Sequence, residues 1–166
     1  MKSGYTLLEA IIYIAILAGL SVLFINLLFT MVRAYTQFQL ERNLTSSAAL
    51  GLERLVRETR QATSANSLAS TFNTNPGKLV LNTVDSGGLP TTVEFFLTGS
   101  TLMVKAGSGQ AASTTAKNVN VDNLIFRQIS TVNSSAIKIE MTLTAHRGAT
   151  ARTGKFYSTA VLRGSY

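Results

Sequence analysis

The first third of the chain contains an uncharged apolar stretch from Ala10 to Val32, whose only clearly polar members are Ser21, Asn26 and Thr30. At about 1.5 Å per helical residue this stretch is ~35 Å long, whereas the hydrocarbon core of a bilayer is ~30 Å thick. A backbone inside lipid must satisfy its own hydrogen bonds, so the stretch should be helical. The pattern therefore predicts one membrane-spanning helix.

The helical pattern continues beyond Val32 as an amphipathic segment. Apolar residues recur at steps of three and four, which places them in one stripe; they are Leu44, Ala48, Leu52, Leu55 and Val56. Oppositely charged residues four positions apart should pair on the polar faces; they are Glu53 with Arg57 and Arg54 with Glu58. No proline occurs before Asn75. We therefore expect a single helix from about Thr6 to about Ala65, ~90 Å long.

The remainder of the chain consists of short apolar or alternating runs separated by turn residues. The runs predicted as strands are 78–84, 92–97, 101–105, 119–129, 136–144 and 155–163. The fourth run is expected to bend near Asp122 and Asn123. In the fifth, the inward residues should be Ile137, Ile139, Met141 and Leu143, with 138, 140, 142 and 144 outward. A small antiparallel sheet with one face against the helix stripe predicts an α+β fold.

Composition narrows the function classes. The chain has 166 residues, which leaves room for one small head domain after the helix. It has no cysteine, which excludes a disulfide framework and a thiolate metal site. The formal net charge is +7, which suits nucleic acid, an anionic polymer or an acidic partner, although a moderate charge also serves solubility alone.

The residues before the apolar stretch, Gly4 to Glu9, read Gly-Tyr-Thr-Leu-Leu-Glu. A carboxylate at the entrance of a membrane helix is costly and implies a partner. An ordinary signal peptide has a shorter apolar core followed by a small-residue cleavage site, which this chain lacks. A plain membrane anchor explains the apolar run but not the order of residues before it. The order resembles the processing motif of type IV prepilins and type II secretion pseudopilins.

This resemblance implies that a prepilin peptidase cuts between Gly4 and Tyr5 and methylates the new amino terminus at Tyr5. It assigns Glu9 to subunit assembly. Before cleavage the nitrogen of Tyr5 is a neutral amide; after cleavage it is a cation that Glu9 of a neighbouring subunit can neutralise. Because an unpaired charge in a low-dielectric surrounding costs several kcal/mol, this pairing would set the register of each incoming subunit.

The resemblance divides the chain into a leader (1–4), a transmembrane and assembly helix (5–32), an amphipathic helix (33–65) and a β-rich head (66–166). It implies a single-pass protein of the cytoplasmic membrane with the head outside the cytoplasm, and a filament at the cell surface or in the periplasm. The partners it implies are the peptidase and other pilin or pseudopilin subunits.

A second resemblance concerns the end of the helix and of the chain. The segment Leu52–Ala62 and the ending Phe156–Arg163 look like those of J-type minor pseudopilins and related minor pilins. Two features depart from many major pilins: Asn26 stands where a proline interrupts the helix, and the cysteine-free head has no C-terminal disulfide.

The sequence offers no catalytic or cofactor site. His146 is the only histidine and lies in a polar segment beside Arg147, as a solvated side chain commonly does. The head's acids are spaced neither as a carboxylate pair nor as a calcium loop, and the glycines near Gly107 lack the Gly-Lys-Thr/Ser ending of a phosphate loop. We expect no enzyme activity, no metal and no cofactor.

Four basic residues near the C-terminus form a possible contact patch: Arg147, Arg152, Lys155 and Arg163. Such a patch would contact phosphates of nucleic acid. No aromatic residues interleave to stack bases, so a solvated edge or a rim for subunit contact is the favoured interpretation.

The sequence thus predicts a structural subunit of a type IV pilus, type II secretion or competence filament, a minor rather than a major one. The alternative is a membrane-tethered adhesin or DNA-capture module with the same anchor.

Overall fold

The computed structural model describes residues 6–132 and 134–163. Over these ranges the chain forms one long α-helix followed by eight β-strands. The helix α1 is Leu7–Gln61. The strands are β1 (Ser64–Ala65), β2 (Leu79–Val84), β3 (Pro90–Thr98), β4 (Thr101–Ala106), β5 (Ala112–Ser113), β6 (Val119–Ser130), β7 (Ser135–Arg147) and β8 (Thr150–Val161). The predicted α+β fold is confirmed.

The chain divides into two compact units, Met1–Gln39 and Leu40–Tyr166, and α1 contributes to both. In the first unit the apolar side chains of α1 are exposed. Neither Gly19 nor Asn26 interrupts the helix. Among the described residues, α1 is the one helix long and apolar enough to cross a membrane.

In the second unit the apolar stripe of α1 packs into the core, as the sequence predicts. Leu44, Ala48 and Leu55 are buried, and Leu52 and Val56 pack against the same cluster. One predicted ion pair forms, with Arg54 Nε 2.8 Å from Glu58 Oε1. The other does not, because Arg57 Nε lies 3.9 Å from the same Glu58 oxygen instead of pairing with Glu53.

The helix ends at Gln61, four residues before the predicted boundary at Ala65. The N–H of Ala62 still bonds to the carbonyl of Glu58, but the N–H of Thr63 donates to Asn82 O at 2.8 Å. Pairing with β2 therefore takes over from the helix at this point.

Strands β1 to β5 form an antiparallel sheet in sequence order, called here the first sheet. Its buried face carries alternate residues of the three longer strands; they are Leu79, Leu81, Val93, Phe95, Leu102 and Val104. The end strands β1 and β5 have two residues each and were not predicted.

Strands β6, β7 and β8 form a separate antiparallel sheet, called here the second sheet. The predicted bend in β6 is a β-bulge at Asp122, between the paired residues Val121 and Asn123. Because a bulge adds one residue, the buried side chains change from odd to even positions; they are Val119 and Val121 before the bulge and Leu124 and Phe126 after it.

The alternation predicted for β7 is confirmed on its inner face, where Ile137, Ile139, Met141 and Leu143 are buried. One outward residue differs from the prediction. Thr144 is buried, because its hydroxyl donates to Asp122 Oδ2 and also bonds to the Thr153 hydroxyl. Side chains of α1 and of both sheets form one hydrophobic core.

Candidate functional site

The predicted assembly residue Glu9 lies in the first turn of α1, where its own backbone is capped. The N–H of Glu9 donates to the hydroxyl of Thr6 at 3.3 Å. Thr6 immediately precedes the first helical residue, Leu7. A threonine at this position satisfies one of the N–H groups that a helix leaves without an intrahelical partner. Thr6 therefore fixes where the helix begins relative to Glu9.

The carboxylate of Glu9 has a partner within its own helix. The hydroxyl of Tyr13 donates to Glu9 Oε1 at 3.2 Å, one helical turn further along. Glu9 is half-buried, whereas the apolar residues around it are exposed. Since a carboxyl group in hydrocarbon needs hydrogen-bonding partners, Tyr13 supplies one that does not depend on another molecule.

The predicted cleavage residues Gly4 and Tyr5 lie outside the described residues. The structure therefore describes the candidate processing segment from Thr6 onward.

A second feature of the apolar part of α1 is a stripe of small and polar residues, called here the small-polar stripe. With 3.6 residues per turn, its members fall within about 60° of one another around the helix; they are Ala15, Gly19, Asn26 and Thr30. No heavy atom from elsewhere lies within 4 Å of the position a Cβ would take at Gly19.

The polar side chains in the apolar part of α1 differ in whether they have a hydrogen-bond partner. The hydroxyl of Ser21 donates to Leu17 O at 2.8 Å, and that of Thr30 donates to Asn26 O at 2.9 Å. No hydrogen bond to the side-chain amide of Asn26 is found within the described part of the chain. An unpaired amide in an apolar helix favours association with a second helix, where it finds a partner.

The four basic residues predicted as one patch are divided between the two faces and the two ends of β8. Arg152 points toward α1, with Nη2 4.0 Å from Glu41 Oε2. Lys155 belongs to the alternate set of β8 residues on the outer face, opposite Thr142. Arg147 ends β7, and Arg163 follows the far end of β8, ~36 Å along the strand from Arg152 at ~3.3 Å per residue. The register places Arg147 and Arg152 diagonally across β7 and β8 on one face, because Arg147 pairs with Thr150 and Ala145 with Arg152. Lys155 and Arg163 lie apart from these two.

A different basic cluster does form on the outer face of the second sheet, around Glu140. Arg127 Nε lies 3.0 Å and Lys138 Nζ 2.9 Å from Glu140 Oε1. Hydrogen bonds from Lys138 and then from Arg127 hold the pKa of the Glu140 carboxyl below its usual range. Lys138 Nζ also lies 6.0 Å from the centre of the Tyr157 ring, within the range of a cation–π contact. We call these four residues the outer-face cluster.

The side chain of His146 is exposed near the end of β7, and the backbone N–H of this residue donates to Asn118 O at 2.9 Å. Within residues 6–132 and 134–163, no group of three or more histidine, cysteine or acidic side chains is placed to hold a metal ion.

Sequence reasoning missed two residues of the N-terminal site, Thr6 as a helix cap and Tyr13 as the partner of Glu9. Both carry a recognisable signal. Thr6 and Glu9 have the Thr-x-x-Glu spacing typical of a capped helix start, and Tyr13 lies four positions after Glu9, which places both side chains on one face.

Comparison of this chain with protein-family models, with curated proteins and with solved structures found no match.

Proposed function

We propose that the chain is a membrane-anchored structural subunit of a helical filament of the type IV pilus, type II secretion or competence class, matured by prepilin-type cleavage. The observation that carries the proposal is Glu9 in the first turn of a helix that is otherwise uncharged and apolar as far as Val32. The order of residues from Gly4 to Glu9 adds the site of maturation.

The free-energy cost of placing the Glu9 carboxylate in the membrane supports a role in assembly. In the membrane, Tyr13 gives Glu9 one hydrogen bond but no opposite charge. A cleaved chain gains a cationic amine at Tyr5, and that amine on a neighbouring subunit offers the charge that Glu9 lacks. Since an acid in a low-dielectric surrounding is more stable with an opposite charge than without it, assembly would stabilise the Glu9 carboxylate.

The small-polar stripe supports side-by-side packing of the same helices. Small residues let two helix backbones approach closely, and the free amide of Asn26 gains a hydrogen bond across the contact. Extraction from the membrane into a filament would then exchange lipid contacts for helix contacts along the exposed apolar surface of the first unit.

Cleavage is tested by intact and N-terminal mass spectrometry after the full chain is co-expressed with a prepilin peptidase. The expected product begins at Tyr5 and carries one methyl group on its amino terminus. Gly4→Ala should impair cleavage because the resemblance places Gly4 directly before the cut. Ser3→Ala, one position earlier, should be cleaved normally and serves as the matched control.

A chain that keeps residues 1–4 in the presence of an active peptidase, with the same N-terminus as the Gly4→Ala variant, would contradict the proposal. The role of Glu9 in assembly would then have to be withdrawn, and the helix would be a simple anchor.

A further inference from the structure

The two sheets of the head have four edges, and three of them are short or covered. In the first sheet the edge strands β1 and β5 contain two residues each. In the second sheet the middle of the β6 edge, at Leu124 and Phe126, is covered by the loop before β2. In that loop Asn73 N–H donates to Phe126 O at 2.9 Å and Gly77 N–H to Leu124 O at 2.8 Å, while Asn75 Oδ1 accepts from Leu124 N–H at 2.9 Å.

The fourth edge, along β8, is long and open. β8 has twelve residues and pairs with β7 without a register shift. The bond from Leu162 N–H to Ser135 O, 2.9 Å, fixes which positions bond to β7. Backbone groups of successive residues in a strand point to opposite sides. Every even-numbered residue of β8 therefore directs its N–H and C=O toward β7, as Leu162 does, and every odd-numbered residue directs them away. The odd residues are Ala151, Thr153, Lys155, Tyr157, Thr159 and Val161.

No described residue bonds to these outward backbone groups. The strand also lacks most of the devices that keep an edge from pairing, since it has no proline and no bulge. An exposed, regular edge of this length is a template for a further strand.

The charged side chains beside this edge are mainly cationic. On the outer face, Lys155 and Lys138 flank Tyr157. Within the described ranges Lys155 forms no ion pair. In the outer-face cluster, Glu140 is already shared between Arg127 and Lys138. Arg163, which is exposed, follows the end of the strand. A strand added here would therefore meet an excess of positive charge.

We propose that the β8 edge is a docking site for an extended acidic segment of a partner protein, which joins the second sheet as a fourth strand. Backbone hydrogen bonds to the odd residues would provide affinity, and Lys155 and Lys138 would select acidic side chains.

The occupant is not a second copy of this chain, because the chain has no extended acidic segment. Its eight acids are isolated from one another in the head or lie within α1; they are Glu9, Glu41, Glu53, Glu58, Asp85, Glu94, Asp122 and Glu140. A single lysine on an edge strand can also act simply to prevent pairing. In that case no peptide of either charge would bind there.

The test uses the full chain in detergent micelles and a fluorescent peptide of nine residues that alternates glutamate and valine. Fluorescence anisotropy should detect binding that weakens as salt is added. Replacing the glutamates with lysines should reduce affinity by about tenfold or more, because the complementary charge is lost. Methylating alternate backbone nitrogens should have the same effect in one register only, the one whose N–H groups face β8, because main-chain bonds are lost there.

Two substitutions test the site on the protein. Thr159→Pro removes one outward N–H while the bonds of β8 to β7 are kept, and Lys155→Glu reverses the charge beside the edge. Each should weaken binding by about tenfold or more. Lys117→Glu makes the same charge change on an exposed residue outside the sheets and should leave the affinity unchanged.

Amide hydrogen exchange on the unmodified chain gives a readout that does not depend on the folding of any variant. In the free protein the amides of Lys155, Tyr157 and Thr159 should exchange quickly, while those of Phe156 and Ser158 are protected by β7. Added peptide should protect the three outward amides. The proposal is overturned by no binding at millimolar peptide, by unchanged affinity for both N-methylated peptides, or by binding without this protection.

Discussion

At the scale of single residues, Gly77 determines how closely the loop approaches β6. A Cβ built on Gly77 would lie 2.9 Å from the backbone oxygen of Leu124 and 3.0 Å from the ring of Phe126. Gly77 N–H donates to that same oxygen, so the loop cannot move away without losing the bond. Glycine is therefore required at this position by contact distance.

Gly77→Ala should lower the free energy of unfolding by about 1–3 kcal/mol, the usual cost of forcing extra volume into a packed site. Urea unfolding followed by circular dichroism measures it. Gly51→Ala is the matched control, because its new Cβ would lie at ordinary distances of 3.5 Å from Leu102 and 3.8 Å from Met141. Gly51→Ala should raise the free energy of unfolding by about 0.5–1 kcal/mol, since alanine is more favourable than glycine within a helix. Equal effects of the two substitutions would refute this account.

Glu140 predicts a pH dependence of stability. Its pKa is lowered in the folded state by Lys138 and Arg127, so the unfolded chain binds a proton more readily than the folded chain. The stabilisation is present above the pKa of the unfolded chain and is lost as the pH falls through the lower pKa of the folded chain. Thermal unfolding from pH 7 to pH 3 should show a smaller acid loss in Glu140→Gln. Glu53→Gln, which removes an acid without an ion pair in the described structure, should follow the unmodified chain.

At the scale of elements, the second half of α1 joins the core through one face only. Leu55 is fully buried, whereas Leu50 on the other side of the helix is 60% exposed. Leu55→Ala should lower the free energy of unfolding by about 2–5 kcal/mol through lost burial and a cavity. Leu50→Ala should change it by about 0.5 kcal/mol or less. Chemical unfolding of both variants checks the prediction, and a similar cost at the two positions would mean that the helix face is assigned incorrectly.

The sequence predicted the long elements because each has one buried face. The period of α1 in its second half and the alternation in β7 follow directly from that burial. Strands β1 and β5 were missed because two residues carry no period. The bulge at Asp122 was predicted only as a bend, since a change of face is visible in sequence but the added residue is defined by its partner on β7.

At the scale of the whole molecule, alternation indicates which face of a strand is buried but not which strand lies beside it. The division of the strands into a sheet of five and a sheet of three was therefore not predicted. The same limit applied to the basic patch. Arg152 and Lys155 are neighbours in sequence, but they occupy opposite faces of β8. At the N-terminal site, by contrast, helix geometry alone brings Glu9 and Tyr13 together. Their contact is therefore predictable from their spacing of four residues in the sequence.

The loop that covers β6 has a consequence for how the head combines with other molecules. Because Asn73, Asn75 and Gly77 occupy the middle of the β6 edge, while no described residue covers β8, a long strand can join the second sheet only along β8. Strand addition there would join one partner strand to the sheet and would not by itself build a repeating assembly of this protein.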